Sequence, residues 1–223
     1  MSDKKEAGRV ILKNLAMFNE AAVLFENEIQ LEIQKEFTEI ISRWIEKNNE
    51  WEITNEENEF IWDITKPSSW LSFIPSKWVG STATIKRNPY ETAWFYFGWL
   101  DNVESPINYA LTDFCGISSA RMGFGFNMNP TVFGGVKKWN NSFGQHSHEY
   151  IEKLKEFGFF FENGWRNTTT FNLPVKLDLE KLVVAWETDD YEEAFKPLIE
   201  ALDNLEKSWS IFDELINKVK SDL

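Results

Sequence analysis

The sequence predicts an α+β protein, in which a mainly antiparallel, aromatic-rich sheet is flanked by a long N-terminal helix and a long C-terminal helix with a heptad pattern. Apolar residues recur every three or four positions near both ends, as in helices, and every second position between them, as in strands. The 223 residues are 43% hydrophobic and 16% aromatic, which is enough for one large core. We expect a single domain over 1–223: helical over 8–48, a β meander over 57–128, loops, a helix and short strands over 129–188, and helical over 189–222.

The predicted N-terminal helix carries one apolar stripe that no proline or glycine interrupts between residues 10 and 44. Its members are Ile11, Leu15, Phe18, Ala22, Phe25, Ile29, Ile33, Phe37, Ile40 and Trp44. A helix of this extent would be about 50 Å long, which exceeds the expected width of the domain. We expect that it breaks near "NEAA" or "ENEI", or that it projects and pairs with another surface.

The predicted C-terminal helix has a regular a/d seam, in which steps of three and four residues alternate over more than three heptads. Its members are Phe195, Leu198, Leu202, Leu205, Trp209, Phe212, Ile216 and Val219. Overlapping Asp-x-x-Glu pairs in "DDYEE" resemble a capping box. Pro197 cannot continue a helix, so we expect a short helix over 190–196 and then a kink or a new start with Pro197 in the first turn. We expect both terminal stripes to pack within one chain rather than between two.

The central segments alternate with a period of two. "EFIWDI" and "VGSTATIKR" are predicted strands, and "NPYE" provides a turn into "AWFYFGWL", which has aromatic residues on both faces. A strand of that kind belongs in the middle of a covered sheet, so we interpret it as core rather than as a stacking platform for a ligand. In "SARMGFGFNM", Gly123 and Gly125 share a face and predict the close approach of a bulky neighbour. Phe97 and Phe124 are expected to be inaccessible.

Three shorter elements follow in the predicted order. A helix is expected over 147–157, with Ser147 as its cap and Gly158 as its stop. "FGFFFENGW" predicts a short strand with a turn at its Asn-Gly pair, and "LDLEKLVVAWE" fits a buried strand or a short helix followed by a strand.

Charge is segregated along the chain. The net charge is −13, yet residues 64–177 carry +3 and the two ends together carry −16. Neither 64–90 nor 114–148 contains an acidic residue. Strong acidity argues against ordinary nucleic-acid binding. Long exposed helices that collect glutamate would also explain this pattern.

Composition excludes several classes of site. The single cysteine, Cys115, rules out an internal disulfide and a cysteine-based zinc cluster, and we expect it to be a buried, inert thiol. The charged start "MSDKKEAGRV" does not resemble a signal peptide, and no apolar run approaches the ~20 residues of a membrane helix. We expect a cytoplasmic protein with no cofactor and no membrane association.

The sequence lacks a complete catalytic motif. A nuclease of the restriction type needs an acid and an acid-x-Lys pair to hold Mg²⁺. The nearest candidates are Asp63 with Lys66, and Asp178 and Glu180 with Lys181, and neither has that spacing. "QHSHEY" contains both histidines in the order H-x-H-E-x-x-E, which differs from the zinc motif H-E-x-x-H. We interpret it as a polar approach to a helix, with no metal.

Two polar loops, 129–148 and 163–170, are the predicted functional surface. Both lie where the sequence is not acidic, and each offers a tryptophan beside a cation, a combination suited to anchoring a partner. The predicted contact residues are Lys137, Lys138, Trp139, His146, His148, Trp165 and Arg166. The competing hypothesis places a basic partner on the acidic N-terminal helix, at Glu26, Glu28, Glu32, Glu36 and Glu39.

These observations predict a non-enzymatic acidic protein that binds a macromolecular partner, most simply a protein, and that is a monomer or a homodimer through its terminal helices. The arrangement of a long acidic helix, an aromatic sheet and a terminal helix is similar to that of uncharacterised phage and bacterial conflict proteins. The missing catalytic motif, the net acidity and the heptad seam favour an inhibitor, immunity or regulatory role. The alternative is an enzyme or sensor directed at a nucleotide or nucleic acid, such as a degenerate metal-dependent nuclease-like domain that uses the neutral-to-basic middle of the chain.

Overall fold

The order of helices and strands follows the predicted fold class. A computed structural model describes residues 3–53, 71–78, 93–100, 109–129, 133–163 and 169–222. Its helices are α1 (Asp3–Lys13), α2 (Leu15–Leu24), α3 (Gln30–Lys47), α4 (Ala110–Phe114), α5 (Val136–Lys155), α6 (Leu179–Thr188) and α7 (Lys196–Ser221). Its strands are β1 (Trp51–Ile53), β2 (Leu71–Pro75), β3 (Ala93–Trp99), β4 (Met122–Met128), β5 (Phe160–Asn163) and β6 (Thr169–Pro174).

The strands form one antiparallel sheet in the order β1-β2-β3-β4-β6-β5. Strands β1 to β4 are a meander, and β6 pairs with β4 after α5 and the β5–β6 hairpin. This confirms the predicted antiparallel, aromatic-rich sheet between terminal helices. The predicted strands in "EFIWDI" and "VGSTATIKR" lie outside the described residues. Strand β2 was not predicted, because its five residues are all buried and therefore show no alternation.

One face of the sheet is the aromatic core. Phe97 of β3 lies opposite Phe124 of β4, and both are 0% exposed, as predicted. Helix α3 covers this face through Phe37, whose ring centroid is 4.7 Å from that of Phe97. Helix α7 covers it through Phe212, 4.5 Å from Phe126. The opening aromatic run of β3 is therefore core on this side.

The glycines of β4 make room on the opposite face of the sheet. The ring of Tyr96 lies against Gly125, where an added Cβ would be 2.3 Å from two ring carbons. This confirms that an aromatic side chain of the neighbouring strand fills that space. At Gly123 the close neighbour is the main chain of β6 instead, with the Leu173 carbonyl oxygen 2.2 Å from an added Cβ.

The N-terminal helical run extends from residue 3 to residue 47 with two irregularities. It kinks at Asn14, whose side chain donates to the Val10 carbonyl at 2.9 Å. It then passes through a π-helical turn at Phe25–Ile29, which contains the predicted "ENEI" site. The break predicted near "NEAA" is wrong, because that stretch lies inside α2.

Only the second half of the N-terminal stripe is buried. Helix α3 buries Ile33, Phe37, Ile40 and Trp44 against the body of the protein. No residue from 4 to 24 is buried, although this segment is equally apolar. The helical run therefore projects beyond the body of the protein, as its predicted length of about 50 Å led us to expect. We call residues 3–24 the arm.

Helix α7 contributes its seam to the core. Every seam residue except the half-buried Trp209 is buried. Pro197 lies in the first turn, which confirms the predicted new start. The predicted short helix over 190–196 is wrong, because the structure has a single turn there, in which the Phe195 amide donates to the Tyr191 carbonyl at 3.0 Å. The C-terminal stripe thus packs within the chain.

Helices α5 and α6 correct two predictions. Helix α5 begins at Val136 rather than at 147, so the expectation of an irregular loop over 129–148 is wrong from 136 onward. Many residues between Trp139 and Tyr150 are polar, so the apolar stripe of this helix is not visible in the sequence. Packing of the stripe against the core outweighs the weak helix propensity of these polar residues. The predicted stop at Gly158, with φ +84°, is confirmed. Residues 179–188 are a helix and not a strand, because the Asp178 carboxylate caps the amides of the next turn.

Candidate functional site

The predicted basic surface lies at the beginning of α5. Lys137 and Lys138 are exposed there. The next residue, Trp139, points into the core instead. It is 2% exposed, and its ring centroid lies 4.5 Å from that of Phe143, so its indole is not available to a partner. Trp165 and Arg166 lie outside the described residues. The structure thus brings together two of the predicted cations, without the tryptophan that was expected to anchor a partner beside them.

The two histidines lie on α5 and have different surroundings. His146 Nε2 is 2.6 Å from Asp222 Oδ2, and Ser142 Oγ donates to the same oxygen at 2.9 Å. The hydrogen bond from His146 is the largest cause of a lowered pKa of Asp222. His148 is exposed. Within the described ranges no three His, Cys, Asp or Glu side chains are grouped so as to hold a metal ion.

A carboxylate between two lysines links α5 to α7. Glu149 accepts hydrogen bonds from Lys218 at 2.7 Å and from Lys153 at 3.0 Å. These two bonds, that of Lys218 first, lower the pKa of Glu149 from 4.5 to about 2. The same contacts raise the pKa of each lysine. The cluster is exposed, so it links the two helices at their solvent edge.

We expect Glu149 to make stability depend on pH in the acid range. Its pKa is lower in the folded chain, so its contribution is full above pH 4.5 and is lost as the pH falls toward about 2. Urea unfolding between pH 5 and about pH 2 should show a steeper loss for the wild type than for Glu149→Gln. Glu152→Gln, on the same helix, is the control and should follow the wild type. Parallel losses in wild type and Glu149→Gln would contradict the assignment.

An acidic surface forms where α3 meets the turn after α6. Tyr191 donates its hydroxyl proton to Glu32 at 2.7 Å. Burial, the bond to Glu32 and the negative charges of Glu32, Asp189 and Glu36 raise the pKa of Tyr191, so all three carboxylates lie near enough for their charges to act on its hydroxyl. No ion pair between described residues neutralises them. We call Glu32, Glu36 and Asp189 the acidic ridge.

The other glutamates proposed for the N-terminal helix have separate contacts. Glu26 accepts a hydrogen bond from the Tyr109 hydroxyl at 3.1 Å, and Glu39 lies 3.8 Å from Lys35. Glu28 is exposed. The sequence marked this helix as acidic, but it did not show that Asp189, far along the chain, joins the same surface.

A polar network lies on the sheet face opposite the aromatic core. Asn172 of β6, 1% exposed, donates from Nδ2 to Glu162 Oε1 at 2.6 Å. Arg121 donates to both Glu162 oxygens at 3.2 and 3.1 Å, and its guanidinium lies 4.7 Å from the Phe160 ring centroid. The bond from Nδ2 to Glu162 fixes the orientation of the Asn172 amide. Its other polar atom, Oδ1, has no hydrogen-bond partner among the described residues. The network presents a buried acceptor oxygen, which the sequence analysis did not identify.

An apolar groove opens beside the π-helical turn of the N-terminal run. It has a volume of about 260 Å³. The groove is lined by Phe25, Ile29, Ile33, Ile117, Val183 and Trp186, among others. The Cys115 thiol lies at its wall, and burial, followed by the charge of Asp178, raises the pKa of that thiol against the opposing effect of Lys176. The predicted buried thiol is confirmed, and the groove offers apolar contact rather than nucleophilic chemistry.

The chain was compared with protein-family models, with curated proteins and with solved structures. None of the three comparisons finds a match. Among the described residues, no helix combines the length and apolar character needed to cross a membrane. Four features of the described residues offer contacts to a partner or ligand: the acidic ridge, the polar network, the apolar groove and the arm.

Proposed function

We propose that this protein is a non-enzymatic acidic protein that binds a basic macromolecular partner, most simply a protein, through the acidic ridge. The observation that supports this proposal is the convergence of Glu32, Glu36 and Asp189 on one side of the molecule, from segments more than 150 residues apart in the chain. An inhibitor, an immunity protein or a regulatory factor would use such a surface.

The physical basis is electrostatic. Carboxylates without a neighbouring cation project a negative potential that attracts a basic partner and accelerates its encounter. The net charge of −13 strengthens this field at long range. Lys35 and Lys181 pair with Glu39 and Glu193, at 3.8 and 3.1 Å, and no ion pair to a ridge carboxylate occurs among the described residues.

Charge reversal tests the ridge against the predicted basic surface. A partner is first isolated by crosslinking and affinity capture from cell extract and is then purified. Its affinity and association rate are measured by surface plasmon resonance at two salt concentrations. Glu36→Lys with Asp189→Lys should weaken binding at least about tenfold, mainly through a slower association rate that salt no longer affects. Glu32 is left intact because it holds Tyr191.

Lys137→Glu with Lys138→Glu is the matched variant, because it changes the charge by the same amount with the opposite sign. The proposal expects it to bind as well as the wild type. Loss of binding in this variant, together with full binding by the ridge variant, would move the functional surface to the start of α5. Urea unfolding of both variants confirms that neither has lost the fold.

A nucleotide-directed sensor or enzyme is the second candidate, and the polar network supports it. Asn172 Oδ1, which has no hydrogen-bond partner among the described residues, would accept an N–H from a base, and Phe160, which lies opposite Asn172 on β5, would stack on that base. Thermal-shift screening with the common nucleotides tests this candidate. A shift that Asn172→Leu abolishes would favour it, and the absence of any shift would count against it.

A further inference from the structure

The arm exposes an apolar surface that no other described part of the chain covers. Its exposed large apolar side chains are Val10, Ile11, Leu12, Leu15, Met17, Phe18, Val23 and Leu24, which are 41–73% exposed. At roughly 80 Å² for each, these eight side chains present roughly 600–700 Å², close to the ~800 Å² that each partner contributes to a stable interface. A helix that is apolar on most sides is normally buried, so the arm needs a partner.

The exposed stripe is continuous with the apolar groove. Ile11, Leu15, Phe18 and Ala22 extend the stripe whose next member, Phe25, lines the groove. A second helix laid along the stripe would therefore enter the groove where the arm meets the body. The volume of about 260 Å³ is sufficient for two or three aliphatic side chains.

Charge along the helical run determines which helix fits and in which direction. Residues 3–13 carry four cations and two carboxylates, whereas residues 20–39 carry six carboxylates and one lysine. Two such helices placed side by side in parallel would set cations against cations and carboxylates against carboxylates. An antiparallel pair sets the basic turns of each against the acidic turns of the other. The run is thus complementary to an inverted copy of itself.

We propose that two copies of this chain form a homodimer by exchanging their arms as an antiparallel helix pair centred on Phe18. In this register Leu15 lies opposite Ala21, one residue from Ala22 of the stripe, and Ile11 lies opposite Phe25 of the second copy, at the mouth of its groove. Arg9 then lies within one helical turn of Glu28. This register ends near residue 33 of the second copy, where Lys4 comes level with Glu32, so Glu36 and Asp189 of the acidic ridge stay outside the dimer.

Light scattering and sedimentation over a range of protein concentrations test the assembly. The wild type should have twice the chain mass of 26.2 kDa. Phe18→Glu places two carboxylates face to face at the centre and should raise the dimer Kd at least about 100-fold. Val136→Glu, an equivalent change at an exposed site on α5, should leave the dimer intact. Phe18 is 41% exposed, so circular dichroism should show an unchanged fold.

Charge swapping and crosslinking test the antiparallel register. Arg9→Glu and Glu28→Lys should each weaken the dimer several-fold, and the double variant should restore it. Phe18→Cys should form a disulfide-linked dimer on mild oxidation. Ile11→Cys should not, because the two residues would lie about 21 Å apart along the pair. Both cysteine variants are made in a Cys115→Ala chain, because Cys115 lines the groove that Ile11 would approach and could otherwise be crosslinked to it.

Several outcomes would overturn the proposal. A wild type that stays monomeric at all concentrations would do so, as would a dimer that Phe18→Glu leaves unchanged. Crosslinking through Ile11→Cys would show a parallel pair instead. Binding of a monomeric wild type to vesicles of anionic phospholipid would assign the arm to a membrane surface. The two proposals fail separately: if Phe18→Glu abolishes the dimer but still binds the partner of the acidic ridge, the dimer is not required for that binding.

Discussion

Phe97→Ala should lower the free energy of unfolding by about 3–5 kcal/mol, because it removes a fully buried ring from the centre of the sheet. Phe97 is 0% exposed, and its ring centroid lies 4.7, 5.6 and 5.1 Å from those of Phe37, Phe114 and Phe124. These rings belong to α3, α4 and β4, so removal of the Phe97 ring would leave a cavity where three elements meet. A shift of any one of these elements would not fill that cavity. Urea unfolding at a fixed protein concentration measures the loss.

Val184→Ala is the control for this measurement. Val184 is 56% exposed on α6, so its truncation should change stability by no more than about 0.5 kcal/mol. Phe124→Ala, on the neighbouring strand, should resemble Phe97→Ala. If Phe97→Ala unfolds at the wild-type urea concentration, then β3 is not the centre of the core.

The predicted elements that the structure reproduces have a strong and simple period. The seam of α7 repeats without interruption, and nearly all of it is buried. Strand β4 alternates glycines with large apolar residues: its glycine face receives the Tyr96 ring and the main chain of β6, and its other face packs Phe124 and Phe126 into the aromatic core. Such periods arise because one face of the element contacts the core and is therefore apolar. The spacing of the apolar residues then indicates the type of element.

Elements without a visible period were missed or placed incorrectly. Strand β2 is buried on both faces, so its residues do not alternate. Helix α5 begins among asparagine, serine and glutamine, and its start depends on packing of Trp139 and Phe143 against the core, which residue-by-residue propensities do not include. The prediction that Trp139 forms part of a surface loop depended on that incorrect start.

The sites depend on contacts between residues that are distant in the sequence. Charge segregation predicted an acidic helix, but Asp189 joins Glu32 only because α6 ends beside α3. The network of Asn172, Glu162 and Arg121 arises from the pairing of β6 with both β4 and β5. No local motif records such juxtapositions, so they could not be predicted from spacing alone.

One helical run carries both the arm and part of the acidic ridge, which affects how variants should be interpreted. Glu28 is proposed to pair across the dimer, whereas Glu36 is proposed to face a different partner. A change at Glu32 would disturb the Tyr191 contact as well as the ridge. Variants at Glu28 and Glu36 therefore separate the two roles, and variants at Glu32 do not.

Gly123→Ala should destabilise the protein by more than about 3 kcal/mol, although it adds a single methyl group. Gly123 has a φ of +158°, which L side chains rarely adopt. The added Cβ would lie 2.2 Å from the Leu173 carbonyl oxygen and 2.8 Å from the Pro174 Cα. Both atoms belong to the main chain of β6. The clash can therefore be relieved only if β6 moves away from β4 and the two strands lose their register. Urea unfolding and amide hydrogen exchange of β6 measure the effect.

The same substitution on α5 distinguishes this clash from a general effect of replacing glycine. Gly144 is exposed within the helix, and an added Cβ there would meet no atom within 4 Å. Gly144→Ala should therefore stabilise the protein by about 0.5–1 kcal/mol, because glycine is a poor helix former. Opposite signs for the two variants would show that the close approach of β6 to β4 sets the cost at Gly123. If Gly123→Ala is as stable as the wild type, the pairing of Gly123 with Pro174 is incorrect, and with it the position of β6 that brings Asn172 to Glu162.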